Sequence, residues 1–101
     1  MDKVLPHPCT KFQGATVKEW FQKINEEFDE LKEAVIACLT CSMQDAKATD
    51  TDSEDKGCIA EEACDTITAI TSMLDAMGID EKARQEAQKK VNEKNKKRGY
   101  Y

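Results

Sequence analysis

The sequence predicts an all-α fold, a bundle of three to four helices. Apolar residues recur at helical spacing in two segments, helix-start signals precede the first and third segments, and no stretch alternates as a β-strand does. Charged residues make up 35% of the 101 residues and aromatic residues only 6%. Such a composition is typical of helices with large polar faces.

The first helix is predicted from about Val17 to Leu39. Thr16 and Glu19 form a capping box, in which each side chain accepts a hydrogen bond from a backbone N–H that the helix leaves unpaired. The apolar stripe of this helix is Val17, Trp20, Phe21, Ile24, Phe28, Leu31, Val35 and Cys38. Residues 1–15 precede it as an irregular arm, interrupted by prolines and a glycine.

An acidic loop over residues 44–57 and two further helices are predicted after the first. The loop has no periodicity and little apolar bulk. The stripe of the second helix is Ile59, Ala63, Ile67, Ile70, Met73, Leu74 and Met77. Gly78 is expected to end this helix at the C′ position, and Asp80 to cap a third helix that runs toward Lys97.

The third helix is mostly polar, so its narrow apolar stripe needs other helices to pack against. A single domain over residues 16–101 also has only a thin core, because small chains bury a low fraction of their surface. We therefore expect a four-helix core that is completed by a second subunit, in a homodimer or a homotetramer.

Net charge is −5, but it is unevenly distributed. From Asp80 to the C-terminus there are eight basic and four acidic residues, a balance of +4, so the rest of the chain carries −9. An acidic body with a basic end argues against a general nucleic-acid binder.

The sequence has no run of about 18 apolar residues and no apolar leader. We therefore expect no membrane-spanning helix and no export signal. The five cysteines are an odd count and are expected to be reduced thiols in a cytoplasmic protein.

Two pairs of carboxylates flank the apolar stripes. On a helical wheel Glu27 and Glu30 lie beside the first stripe together with Lys23, and Glu62 and Asp65 lie beside the second. The other acids of this part of the first helix point toward solvent: Glu26, Asp29 and Glu33. If the two helices pack together, four carboxylates converge in a half-buried place, and Mg²⁺ would compensate their charge. From spacing alone, a metal site and a solvated acidic face both stay open.

These motifs resemble those of a known family. "EEFDE" at 26–30 and "EACD" at 62–65 are similar to the EExxE…ExxD signature of the MazG-like, all-α nucleoside triphosphate pyrophosphohydrolases. The C-terminal "VNEKNKKRGYY" resembles the last helix of that family, which carries an N-x-K-x-x-x-R run. The matching residues are Asn92, Lys94 and Arg98. The resemblance covers about residues 16–101.

The resemblance implies Mg²⁺-dependent hydrolysis, with Mn²⁺ as an alternative, of a (deoxy)nucleoside triphosphate between its α and β phosphates. The implied metal ligands are Glu27, Glu30, Glu62 and Asp65. The implied catalytic residues are Glu27, Glu30, Lys94 and Arg98. The implied substrate-binding residues are Lys23, Asn92, Lys94 and Arg98. The alternative is a non-catalytic helical interaction or regulatory protein with the same fold.

The sequence also departs from the family. The gap between Glu30 and Glu62 is long, and Cys58 stands where the family has a lysine before its second motif. Trp20 is read as a core residue, with stacking on a nucleotide base as the alternative.

Two competing motifs are weaker. Residues 50–61 imitate a calcium-binding loop, but the sixth position is Asp55 and the sharp turn there requires glycine. Cys38-x-x-Cys41 has no second cysteine pair with which to complete a zinc site.

Overall fold

The computed structural model describes residues 3–38, 47–50 and 56–101. Within them the chain forms three α-helices and no strand: α1 (Val17–Ala37), α2 (Lys56–Ala76) and α3 (Glu81–Lys97), with a 3₁₀ turn at Ala48–Asp50. α1 and α2 pack against each other along an extensive interface. Among the described residues, α3 forms no comparable interface with α1 or α2. The prediction of an all-α fold is confirmed.

The predicted capping box begins α1. The Thr16 hydroxyl accepts a hydrogen bond from the Glu19 N–H at 3.1 Å, and the Glu19 carboxylate accepts one from the Thr16 N–H at 3.1 Å. The carboxylate also accepts the Thr16 hydroxyl proton at 2.9 Å. The hydrogen bond from the Thr16 N–H is the main cause that holds the pKa of Glu19 below its usual value of 4.5, and the hydrogen bond from the Thr16 hydroxyl is the second cause. The start of α1 is therefore encoded locally.

We expect Thr16→Ala to lower the free energy of unfolding by about 1 kcal/mol near neutral pH. The pKa of Glu19 is lower in the folded state than in the unfolded state. The stability that ionised Glu19 contributes is therefore present above pH 4.5 and is lost as the pH falls through the folded-state pKa of Glu19. Denaturant unfolding at about pH 7 and about pH 3.5 should therefore show a smaller difference between variant and wild type in acid. Thr10→Ala, in the exposed arm, is the control. An equal loss at both pH values would contradict this role of Glu19.

The ends of α2 and α3 also follow the predicted signals. Gly78 has φ 83°, and the Ile79 N–H donates to the Leu74 carbonyl at 2.9 Å, as in a Schellman motif. Asp80 caps α3 by accepting a hydrogen bond from the Ala83 N–H at 2.9 Å. The predicted functions of Gly78 and Asp80 are confirmed.

The predicted loop over 44–57 is two residues too long at its C-terminal side, because α2 begins at Lys56. Residues 44–46 and 51–55 lie outside the described residues, as do Leu39 and Cys41.

The face of α2 that is buried differs from the predicted stripe. Its buried residues are small: Thr66, Ala69, Thr71 and Ser72. Ile67, Ile70 and Met77 of the predicted stripe are instead 48%, 40% and 57% exposed. Trp20 of α1, which is 6% exposed, lines a common concavity with Ala69 and Ser72 of α2. Ile67, Ile70 and Met77 are therefore outside the core of one chain, whereas Ile59, Met73 and Leu74 of the same stripe are partly buried.

Like α2, α1 carries large apolar residues that are exposed to solvent in one chain. Val17, Phe21, Phe28 and Ile36 are each about half exposed.

None of the helices in the described residues combines the length and the apolar character that a membrane span requires.

The N-terminal arm is irregular, as predicted, but it lies against α2. The Cys9 N–H donates to the Ser72 hydroxyl oxygen at 2.8 Å, and that hydroxyl donates to the Thr68 carbonyl at 2.7 Å. The Gln13 side-chain amide donates to the Asp75 carboxylate at 2.8 Å. Two points along the arm are thus attached to one helix.

Candidate functional site

Three of the four singled-out carboxylates converge between α1 and α2. Glu27, Glu30 and Glu62 each place one oxygen within 4.8 Å of the others. Glu27 and Glu30 lie three residues apart on one side of α1, and Glu62 faces them from α2. We call these three residues the carboxylate cluster.

The cluster is half-buried on one side and open on the other. The Glu27 side chain is only 13% exposed and Glu62 is partly buried, whereas Glu30 is exposed. The Oε2 atom of Glu62 is buried, and no hydrogen-bond donor among the described residues contacts it. A buried, unpartnered carboxylate oxygen needs a donor or a cation.

The three carboxylates repel one another. The negative charge of Glu27 is the main cause that raises the pKa of Glu30 above its usual value, followed by partial burial and the charges of Glu62 and Asp65. Lys23 opposes this rise. Its ammonium group lies 2.9 Å from Glu27 Oε1, and the hydrogen bond with Glu27 is the main cause that raises the pKa of Lys23. One lysine beside three carboxylates leaves an excess of negative charge.

These residues fit a hard divalent cation. The donors are all carboxylate oxygens, one of them is buried without a partner, and the exposed side at Glu30 leaves room for waters or a substrate. Mg²⁺ binds in proteins through a few carboxylates while it keeps several waters.

Asp65 lies near the cluster but outside it. It is exposed, it is not among the three converging carboxylates, and its charge contributes to the raised pKa of Glu30. Together with Glu27 and Lys23 it lines an adjacent concavity.

The structure does not bring the singled-out residues of α3 to the cluster. Lys94 and Arg98 are exposed, and neither forms an ion pair with a carboxylate of the cluster among the described residues. The Asn92 side-chain oxygen accepts a hydrogen bond from Gln88 at 2.9 Å, and its carbonyl accepts one from the Tyr101 hydroxyl at 2.6 Å. Within the described part of one chain, the acidic and basic halves of the expected site are thus separate.

The remaining acids of α1 face solvent. Glu26, Asp29 and Glu33 are exposed, and Asp29 forms a surface ion pair with Lys32 at 3.3 Å. The acidic stretch of α1 therefore contains two kinds of residue, those of the cluster and those of a solvated face.

Sequence reasoning missed the concavity beside the cluster. It has a volume of about 430 Å³ and lies between the arm, α1 and α2. Phe12 and Cys9 of the arm line it, together with Trp20 and Ala69. The available signal was Phe12, an aromatic residue within the irregular arm, but nothing local shows where the arm lies.

One protein-family model matches most of the chain. The family model described as phosphoribosyl-ATP pyrophosphohydrolase matches residues 1–95, and the match includes the arm. No curated protein and no solved structure matches the chain. The chain therefore belongs to the phosphoribosyl-ATP pyrophosphohydrolase family, within the MazG-like, all-α pyrophosphohydrolases whose motifs it resembles.

Proposed function

We propose that the chain hydrolyses a nucleoside triphosphate, or a nucleotide with the same triphosphate group, at the α–β phosphate bond. Membership in a family of pyrophosphohydrolases supports the class of reaction, a hydrolysis of an acid anhydride. The observation that carries the proposal is the convergence of Glu27, Glu30 and Glu62 around a buried, unpartnered oxygen.

The carboxylate cluster would hold Mg²⁺, or Mn²⁺ in its place, with Asp65 as a fourth ligand. When bound, the ion would neutralise charge on the phosphate oxygens and help to orient water.

The chain's own residues account for the rest of the reaction. Water adds to phosphorus, the bridging P–O bond breaks, and the products are a nucleoside monophosphate and pyrophosphate. Glu27 or Glu30 accepts the proton of the attacking water. Lys23 positions Glu27 through their 2.9 Å contact and lies close enough to the cluster to meet a phosphate oxygen.

We further propose that Asn92, Lys94 and Arg98 act at the site of a second subunit. α3 has no buried residue and no extensive interface with α1 or α2 among the described residues. Its positive charge complements the acidic body, and its cations would stabilise negative charge on the phosphates. The exposed apolar residues of α1 and α2 supply a surface for a homodimer, or for a homotetramer built from such dimers.

A screen for pyrophosphate release tests the reaction. The substrates are phosphoribosyl-ATP and the standard ribonucleoside and deoxyribonucleoside triphosphates, each with and without Mg²⁺. We expect release from at least one of them, and only with the metal. If none is cleaved although Mg²⁺ binds, the non-catalytic alternative is correct.

We expect Mg²⁺ to raise the melting temperature of the wild type. At tenfold excess over its dissociation constant, a ligand that binds only the folded state stabilises it by about 1.4 kcal/mol, which shifts the midpoint by about 6–11 °C. Glu62→Gln should abolish most of this shift, because it removes a carboxylate of the cluster. Differential scanning fluorimetry measures both.

Glu61→Gln is the matched control, since Glu61 is exposed and lies outside the cluster. Without Mg²⁺, Glu62→Gln should melt no lower than the wild type, because one source of repulsion is removed. A full Mg²⁺ shift in Glu62→Gln would contradict the site.

A further inference from the structure

The concavity beside the carboxylate cluster has the size and composition of a small-molecule site. Its volume of about 430 Å³ is within the range of about 300–1,000 Å³ that is usual for such sites. Most of its lining surface is apolar, and the apolar and aromatic side chains that line it are Phe12, Ala15, Trp20 and Ala69.

The same concavity is continuous with the proposed phosphate site. Lys23, Glu27 and Asp65 line it, so a ligand there would lie directly beside the carboxylate cluster. An apolar site next to a group of metal-binding carboxylates suits a molecule with one planar apolar end and one strongly anionic end. A nucleotide has this shape.

Trp20 lies in one wall of this concavity. It is 6% exposed, yet its indole N–H has no hydrogen-bond partner among the described residues. A buried donor without a partner is rare in folded proteins and is a reason to look for a ligand.

Phe12 is the exposed aromatic residue of the opposite wall. Its side chain is 60% exposed, although the arm on either side of it is attached to α2 through Cys9 and Gln13. The Lys11 ammonium lies 5.5 Å from the centre of the Phe12 ring, a cation–π contact that restrains the ring further. The arm thus presents an exposed aromatic ring from a fixed backbone.

We propose that this concavity binds the nucleobase of the substrate, with Phe12 and Trp20 as aromatic contacts, and that the arm is part of the binding site. This inference rests on the proposed function for the identity of the ligand. Every nucleobase has π-faces that stack on aromatic side chains, and loss of one such contact weakens binding by about 5-fold to 150-fold.

The chain contains its own reporter for this test. Trp20 is the only tryptophan, so its fluorescence reports on the concavity alone. The probes are α,β-methylene analogues of purine and pyrimidine nucleoside triphosphates, which are not cleaved at the α–β position, and inorganic tripolyphosphate, which has no base. We expect at least one nucleotide analogue to change the Trp20 emission and tripolyphosphate not to change it.

Substitution of Phe12 completes the experiment. For the substrate identified by the screen, Phe12→Ala should raise KM by about 5-fold to 150-fold with little change in kcat, while binding of tripolyphosphate stays as in the wild type. Phe12→Leu keeps the apolar bulk without the ring and should act in the same direction. Leu5→Ala is the control, because Leu5 is an exposed apolar residue of the same arm that lines a different concavity.

The outcomes separate this inference from the proposed function. If pyrophosphate is released but neither Phe12 variant changes KM, the base lies elsewhere and the inference is wrong. If tripolyphosphate and the nucleotide analogues change the emission equally, the concavity does not read the base. If the analogues bind with a base-dependent signal but no nucleotide is cleaved, the proposed reaction fails and the base site stands.

Discussion

Glu27→Gln should lower kcat for pyrophosphate release by about 10²-fold to 10³-fold, with helix content unchanged. This magnitude is typical when one preorganised electrostatic contact in an active site is lost. The Glu27 side chain is only 13% exposed, it lies within 4.8 Å of the other two carboxylates, and it forms an ion pair with Lys23 at 2.9 Å. The amide keeps the size of the side chain but removes the charge that pairs with Lys23 and that would bind the proposed metal. A coupled pyrophosphate assay and circular dichroism measure the two properties.

Glu26→Gln is the matched control for this variant. Glu26 is the preceding residue of the same helix, is exposed, and lies outside the carboxylate cluster. Its substitution should leave kcat within about twofold of the wild type, as expected for a solvated surface charge. Equal effects at Glu26 and Glu27 would mean that the acidic stretch acts through its total charge and not through a site.

A mixture of two inactive variants should regain activity. Arg98→Ala alone is expected to lower kcat by about 10²-fold, because it removes the cation that we propose stabilises negative charge on the phosphates. If Arg98 acts across a two-fold interface, a dimer of one Glu27→Gln chain and one Arg98→Ala chain has one intact site and one doubly impaired site. Equal amounts of the two variants, unfolded and refolded together, should therefore recover about one quarter of the wild-type activity.

The reason to expect this result is the position of α3. Neither Lys94 nor Arg98 forms an ion pair with the carboxylate cluster in the described residues, and α3 has no buried residue and no extensive interface with α1 or α2. Lys97→Ala is the control, because Lys97 is a neighbouring exposed cation outside the N-x-K-x-x-x-R run. A refolded mixture that stays as inactive as its components would place Arg98 in the same site as Glu27 of its own chain, or outside the site.

The sequence by itself determined the local structure of this protein. The capping box at Thr16, the Schellman end at Gly78 and the cap at Asp80 all lie where the sequence predicts them. Each of these contacts joins residues at most five positions apart, so the information that specifies them is local. The helical period also predicts that Glu27 lies beside the apolar stripe of α1 and that Glu26 points toward solvent, because the face of a helix on which a residue lies follows from its position alone.

Only the tertiary structure decided which faces meet. The stripe of large apolar residues on α2 was the expected core, yet Ala69 and its small neighbours are buried and Ile67 is exposed. The arm, which has no periodic pattern, forms one wall of the concavity through a hydrogen bond between Cys9 and Ser72, 63 positions apart. The physical reason is that helical periodicity records how apolar a face is, whereas packing also depends on how closely two backbones can approach.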